Sequence, residues 1–297
     1  MPLPQNKDGI LAKLKADAII AENLDGWSIT NLGAILFAKN LTEFERLSRK
    51  ALRVIQYHGK NRIKTKREIP SSKGYAVGFE TLIEQINNLL PENEEIGQSL
   101  RKNVRMYPEL AIRELVANSL IHQDFTISGT GPMVEIFDDR IEITNPGHPL
   151  VETLRMIDYP PRSRNESMAS LMRRMNICEE RGSGIDKVIF EVELYQLPAP
   201  NFTTKEEFMI VTLYAHQELR DMDKSDRIRA CYQHACLKCV SNEQLNNASL
   251  RERFNIAENN SAQVSRIIKD TMEVGLIKPS DPQNQSRKHA SYLPFWA

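Results

Sequence analysis

Glu114, Asn118 and His122 recur four residues apart in the stretch ELVANSLIHQDF. On a helix they share one stripe, roughly 80° wide at 100° per residue. A carboxylate, an amide and an imidazole so aligned could hold a metal ion, orient a water or move a proton. Around them Ala111, Ile112, Leu115, Val116, Ala117, Leu120 and Ile121 take nearly every other direction, so the helix should be largely buried. Buried polar groups need partners, because an unpaired charge in a core is very costly. A pocket with a metal ion and a polar ligand would supply them. Hydrogen bonds to a neighbouring loop would serve as well.

Two glycine motifs follow downstream. IEITNPG reads as a strand end that delivers Asn145 and Gly147 at its edge. ERGSGI places Gly182 and Gly184 immediately before a helix, where exposed backbone N–H groups favour phosphate. The phosphate-loop pattern G-x-x-x-x-G-K-[ST] does not occur, so motor chemistry of that kind has no residues to run on.

The elements that must position these groups alternate between helix and strand. Helical periodicity covers Lys7–Asn23, Asn31–Ala38, Phe79–Leu90, the segment opened by Pro108 at the first helical position, Glu166–Met175 and Ile185–Tyr195. Strands are expected at Ala51–Tyr57, Val134–Phe137, Arg140–Thr144 and Phe208–Tyr214. LPAPNF reads as a linker, and KNRIKTKR, with five basic residues in eight, as a hairpin or exposed loop with a solvated charged face. This predicts an α+β body, a mixed sheet covered by helices.

Composition limits the function classes. With 41% hydrophobic and 26% charged residues the chain is of the soluble globular class. No apolar run approaches membrane-spanning length, and MPLPQNKDGI has no signal-peptide pattern, which points to a cytoplasmic chain without disulfides. Cys236 and Cys239 form a C-x-x-C without a second ligand pair, so buried thiols on a helix are expected rather than a metal site. Net charge is zero overall. From Asp223 onward, however, 11 Lys and Arg against 8 Asp and Glu give +3, leaving −3 on the rest.

The charged segment LRDMDK marks a boundary near residue 219. Beyond it come a helix at Asp226–Cys239, one starting at Ser249 with a capping box through Glu252, and one starting at Asn260 with Gln263 and ending at Gly275. LIK, a turn-rich loop and YLPFW complete the plan of a winged helix-turn-helix. In its third helix Gln263 and Arg266 suit base edges and Lys269 phosphate, with Arg287 and Lys288 on the wing. Dimerisation or docking is the other use of such a module.

The order of ELVANSLIHQDF, DDRIEITNPG, SRN, ERGSGI and the ending YLPFWA resembles the Bergerat-type ATP-binding fold of gyrase, MutL and histidine kinases. It is closest to the divergent branch called putative ATP-dependent DNA helicase RecG, C-terminal, common in bacterial regulators with a Schlafen-like AlbA domain. The resemblance implies ATP and Mg as cofactors. Asn118 would be the magnesium ligand, and Glu114 would orient or deprotonate the attacking water. Asn145, where the wider superfamily has Asp, would face the adenine amino group, and Gly147 would allow close approach. Gly182 and Gly184 would meet the phosphates, with Arg164 of SRN a further contact. His122 matches the branch and is read as making a structural hydrogen bond. Residues 1–45 would be a helical segment holding the trailing edge of an AlbA domain, SITNLGAILFAK. Residues 46–218 would be the Bergerat-like domain, with helices on one face of the sheet, and 219–297 the winged helix. The function implied is a DNA-binding transcriptional regulator that senses or slowly hydrolyses nucleotide. A magnesium-dependent ATPase cycle and a non-catalytic scaffold are the alternatives. A homodimer and an AlbA-domain partner are compatible with it; a membrane is not.

Overall fold

The computed structural model describes residues 4–96, 101–178, 184–283 and 290–297, with backbone alone for 92–96 and 101–105. It opens with α1 (Lys7–Ala16), the hairpin β1 (Ile20–Asn23) and β2 (Gly26–Ile29), and α2 (Asn31–Phe37). The helix expected to reach Asn23 stops at Asp17, because Ala18 turns left-handed (φ 54°). The hairpin turns at Leu24–Asp25, and Gly26 (φ 124°) pairs with Asn23 as the first residue of β2, so β1 occupies the end of the span read as helix.

The body continues with β3 (Arg53–Tyr57), β4 (Thr65–Ile69), α3 (Tyr75–Leu89), β5 (Glu92–Ile96) and β6 (Arg101–Arg105). Next come α4 (Glu109–Ile121), β7 (Met133–Ile136), β8 (Arg140–Pro146), α5 (Glu166–Arg174), α6 (Gly184–Leu194), β9 (Asn201–Lys205) and β10 (Phe208–Tyr214). Six strands form one mixed sheet in the order β4-β3-β7-β8-β10-β9, with β3 and β7 parallel and the other pairs antiparallel. The linker reading of LPAPNF missed β9, an edge strand whose residues 203–205 are exposed and so lack the apolar alternation of a buried strand. Val54, Val134, Ile136, Ile141, Ile143, Val211 and Leu213 form a core with Ala111, Ile112, Leu115 and Val116 of α4.

The other side of the sheet carries a charged cluster. Buried Glu135 takes two hydrogen bonds from Arg62, at 2.6 and 2.7 Å, and one from the Tyr57 hydroxyl at 3.1 Å. KNRIKTKR is thus the β3–β4 hairpin, but its face is not wholly solvated, since Arg62 pairs with Glu135 and Lys60 with Asp139.

The C-terminal module comprises α7 (Lys224–Val240), β11 (Leu245–Asn246), α8 (Asn247–Arg253), α9 (Ser261–Glu273), β12 (Ile277–Pro279) and β13 (Ser291–Pro294). Its strands pair in the order β11-β13-β12. The α8 capping box sits one frame earlier than expected. Asn246 is the N-cap, its side chain accepting from the Ser249 N–H (2.9 Å), while Ser249 Oγ accepts from the Asn246 N–H (3.2 Å). Asn260 does precede α9, but its side chain makes no capping bond. Gly275 takes the left-handed turn expected of it (φ 75°). Cys236 is buried and Cys239 partly so, both as free thiols. Among the described residues no helix is long and apolar enough to cross a membrane.

The N-terminal segment is clipped to the body by charge. Arg174 of α5 donates to both oxygens of Asp17, at 2.8 and 2.9 Å. These bonds, opposed by burial and helped by Lys13, hold the Asp17 carboxyl down at about 2. Because this value lies below that of an unfolded aspartate, the clip stabilises fully above about pH 4 and is lost as pH falls toward 2. Asp17→Asn should therefore lower the unfolding midpoint at pH 6, and the gap between wild type and variant should shrink below about pH 4 and close only below about pH 2.

Candidate functional site

Helix α4 starts at Glu109, so Pro108 is its N-cap rather than its first helical residue as expected. Proline is tolerated there because the first N–H groups of a helix have no intrahelical acceptor. The helix is buried on nearly all sides, and its polar stripe is only half-buried. Glu114, Asn118 and His122 line one cavity of about 560 Å³. Asn118 Nδ2 lies 3.4 Å from Glu114 Oε1, a long hydrogen bond that leaves Asn118 Oδ1 as an acceptor.

The cavity floor is the helix-side face of the sheet. Asn145 and Ile143 on β8 pair with Met209 and Val211 on β10, and Phe202 of β9 lies beside Val211. Strand alternation explains this, because Ile141, Ile143 and Asn145 all point to the buried side. Asn145 is 6% exposed, and its amide nitrogen reaches the Pro146 carbonyl at 3.4 Å. Gly147 adopts φ +117° and lines the cavity. The close approach seen here is to the protein itself: a Cβ there would lie 3.0 Å from Asp124 Cβ, and Asp124 N–H donates to the Pro146 carbonyl at 2.8 Å.

Gly184, the first described residue of α6, faces Glu114. A Cβ at 184 would fall 2.9 Å from Glu114 Cδ and nearer still to Oε1. The carboxylate thus lies against the start of α6, the positive end of that helix dipole. Gly182 lies outside the described residues.

Arg164 does not line the cavity. Its Nε donates to the His122 carbonyl (3.2 Å), its Nη2 to the His148 carbonyl (2.7 Å) and its Nη1 to Asp124 (3.3 Å). Neighbouring Asn165 donates to the carbonyls of Ile121 (2.7 Å) and Gln123 (2.8 Å). The SRN segment therefore satisfies carbonyls that the end of α4 leaves without partners. His122 also departs from expectation. Its ring makes no hydrogen bond among the described residues, and burial, helped by the Arg164 charge, pushes its pKa down to about 4. It is a neutral imidazole at pH 7.

Other lining residues come from α5. Glu166, Ala169, Ser170 and Arg173 recur at helical spacing along one face. Cys178 is buried at the same end. Its thiol is pushed up to about 11 by burial and then by the Glu114 charge, against the opposing charges of Arg173 and Arg113. Glu114 and Arg173 thus act on one thiol from the same end of the cavity. The amphipathic pattern of ESMASLMRR was the signal that could have exposed this stripe.

No group of three His, Cys, Asp or Glu suited to a metal occurs among the described residues. The hard oxygens of Asn118 and Glu114 fit a magnesium ion that keeps most of its shell as water and phosphate. In the C-terminal module Gln263, Arg266 and Lys269 are exposed on α9, as expected. Lys269 lies 3.6 Å from Glu273, however, and Lys224 pairs with Asp270 at 2.8 Å, so acids sit among the cations. Arg287 and Lys288 lie outside the described residues.

Residues 129–213 match the family described as "Putative ATP-dependent DNA helicase recG C-terminal". The match supports the resemblance over that stretch and points to nucleotide binding. It takes in Asn145, Gly147, Arg173 and Gly184 but stops short of α4, so Glu114 and Asn118 join the site through the geometry alone. No curated protein matches the chain. Among solved structures, the DIP2311 protein from Corynebacterium diphtheriae superposes with a TM-score of 0.59 at 14% identity, covering 95% of this chain. At that identity the likeness is one of fold. The chain spans 56% of that protein's length.

Proposed function

We propose that the chain is a nucleotide-binding regulator whose cavity takes ATP with magnesium. One observation carries this: the polar stripe of α4 and the glycine-marked residues of the matched family stretch line the same cavity. Asn145 would meet the adenine edge from the floor. Asn118 would offer its amide oxygen to magnesium, which when bound would neutralise phosphate charge. The start of α6 and Arg173, at the Glu114 end, would meet the phosphates; Arg164 is committed elsewhere.

Calorimetry with ATP and magnesium tests this. Saturable heat is expected, and Asn118→Ala should weaken binding roughly 10-fold, the value of one hydrogen bond to a charged group. No heat from wild type with ATP, ADP or another nucleotide would sink the reading.

Hydrolysis is a second reading, favoured by the place of Glu114 between Asn118 and the start of α6. If Glu114 is the base, Glu114→Gln abolishes phosphate release while leaving ATP bound. Residues 219–297 are proposed as a winged helix-turn-helix that presents Gln263, Arg266 and Lys269 to DNA, and 46–218 as the nucleotide domain. The acidic partners on α9 favour instead a scaffold that docks protein. Sequence-specific retardation of DNA would decide for the former.

A further inference from the structure

The segment 150–161 forms one wall of the cavity, and it has two sides. Leu150, Val151, Met156 and Tyr159 line the cavity. The residues between them engage the C-terminal module. The Leu154 carbonyl accepts a hydrogen bond from the Tyr232 hydroxyl of α7. The Arg155 guanidinium, held by Asp158, stands 5.5 Å from the Trp296 ring centre. Ile157 is buried in a cluster with Tyr232, Cys236, Ile189 and Ala199. The module secures its own side: Trp296 Nε1 donates to the Tyr232 hydroxyl at 3.2 Å, and Phe295 stacks on Tyr232 at 6.1 Å.

We propose that Tyr232 and Trp296 are positioning residues for the cavity, holding its wall from behind, so that ligand binding and the seating of the C-terminal module are coupled. Met156 faces the ligand space and its neighbour Ile157 the module. Close-packed interiors leave little slack, so a ligand that shifts Met156 or Tyr159 also shifts Leu154, Arg155 and Ile157. Ile185 and Phe202 give a second connection, since both line the cavity and pack against the cluster around Ile157. Coupling of this kind is reciprocal: the factor by which bound ligand favours the seated module is the factor by which the seated module favours the ligand. The inference rests on the cavity being a nucleotide site.

The chain has two tryptophans, Trp27 and Trp296, and Trp27 lies on the N-terminal hairpin. In full-length Trp27→Phe protein, Trp296 reports alone. ATP with magnesium should change its emission, saturating over the same concentrations as the calorimetric heat. Tyr232→Phe removes the hydroxyl that donates to Leu154 and accepts from Trp296. It should weaken ATP roughly 3- to 10-fold, the usual range for a single hydrogen bond. Trp296→Ala should weaken ATP at least as much, and Trp296→Phe should recover part of the loss by restoring a ring beside Arg155. Wild-type affinity in all three variants, even with lowered melting temperatures, would overturn the proposal, as would silent Trp296 emission at saturating ATP. If wild type binds no nucleotide, the functional reading and the coupling fall together; if it binds normally and only the variants are silent, the coupling alone falls.

Discussion

Alanine at Gly184 should cost ATP affinity far more than stability, which should shift by less than about 1 kcal/mol, because its methyl group would push the flexible end of Glu114 into the cavity. Whatever stability it costs should be recovered once Glu114 is shortened. The methyl group would meet the end of the Glu114 side chain, 2.9 Å from Cδ. That end is half-buried and lines the cavity, so it can retreat only into the space a ligand would use. With Glu114→Ala in place the obstacle is gone. Gly184 has no left-handed φ to protect, so alanine should then gain helix propensity, from a few tenths up to about 1 kcal/mol. Urea unfolding of the four proteins in this cycle measures the coupling directly. Equal effects of Gly184→Ala in both backgrounds would show that this glycine serves something other than Glu114. Displacement of the carboxylate into the cavity should also cost nucleotide binding, so the single variant should lose ATP more severely than its stability loss explains.

The α4 stripe was legible because the helix is apolar in nearly every other direction, so three polar side chains needed partners; a pocket or a neighbouring loop could supply them, and the fold sets them on a cavity. Strand β10 was legible end to end, since seven buried or half-buried residues in a row admit little else. Arg164 was offered to phosphate by the resemblance, and no single-sequence pattern shows what it does instead. Its guanidinium donates to the His122 carbonyl at the end of α4, 42 residues away, and to the His148 carbonyl after β8. The α8 cap slipped because Asn246–Ser249 and Ser249–Glu252 both fit the three-residue spacing of a capping box. Pairing of β11 with β13 extends the chain through Asn246 and thereby selects the earlier frame. Gly147 was read as a point of close approach for a ligand; what the fold brings against it is Asp124.

Arg173 and Arg174 stand side by side in sequence and read alike as cations in the last turn of a helix. The fold separates them: Arg174 clips Asp17, and Arg173 lines the cavity at the Glu114 end. Arg173→Gln should therefore weaken ATP by about 10- to 100-fold, matching the 1.5–3 kcal/mol of a hydrogen bond to a charged group. It should leave adenosine unchanged. The Glu114 charge makes this contact necessary, because a polyphosphate brought toward a carboxylate is repelled unless a cation and the positive end of α6 offset it. Arg173→Lys should restore part of the loss, since lysine keeps the charge but not the paired geometry of the guanidinium. Arg164→Gln is the contrasting case. It would release the end of α4, lower the melting temperature and weaken ATP and adenosine by similar factors. If Arg173→Gln also reduces both ligands alike, Arg173 supports the cavity wall and the phosphates are held by something else.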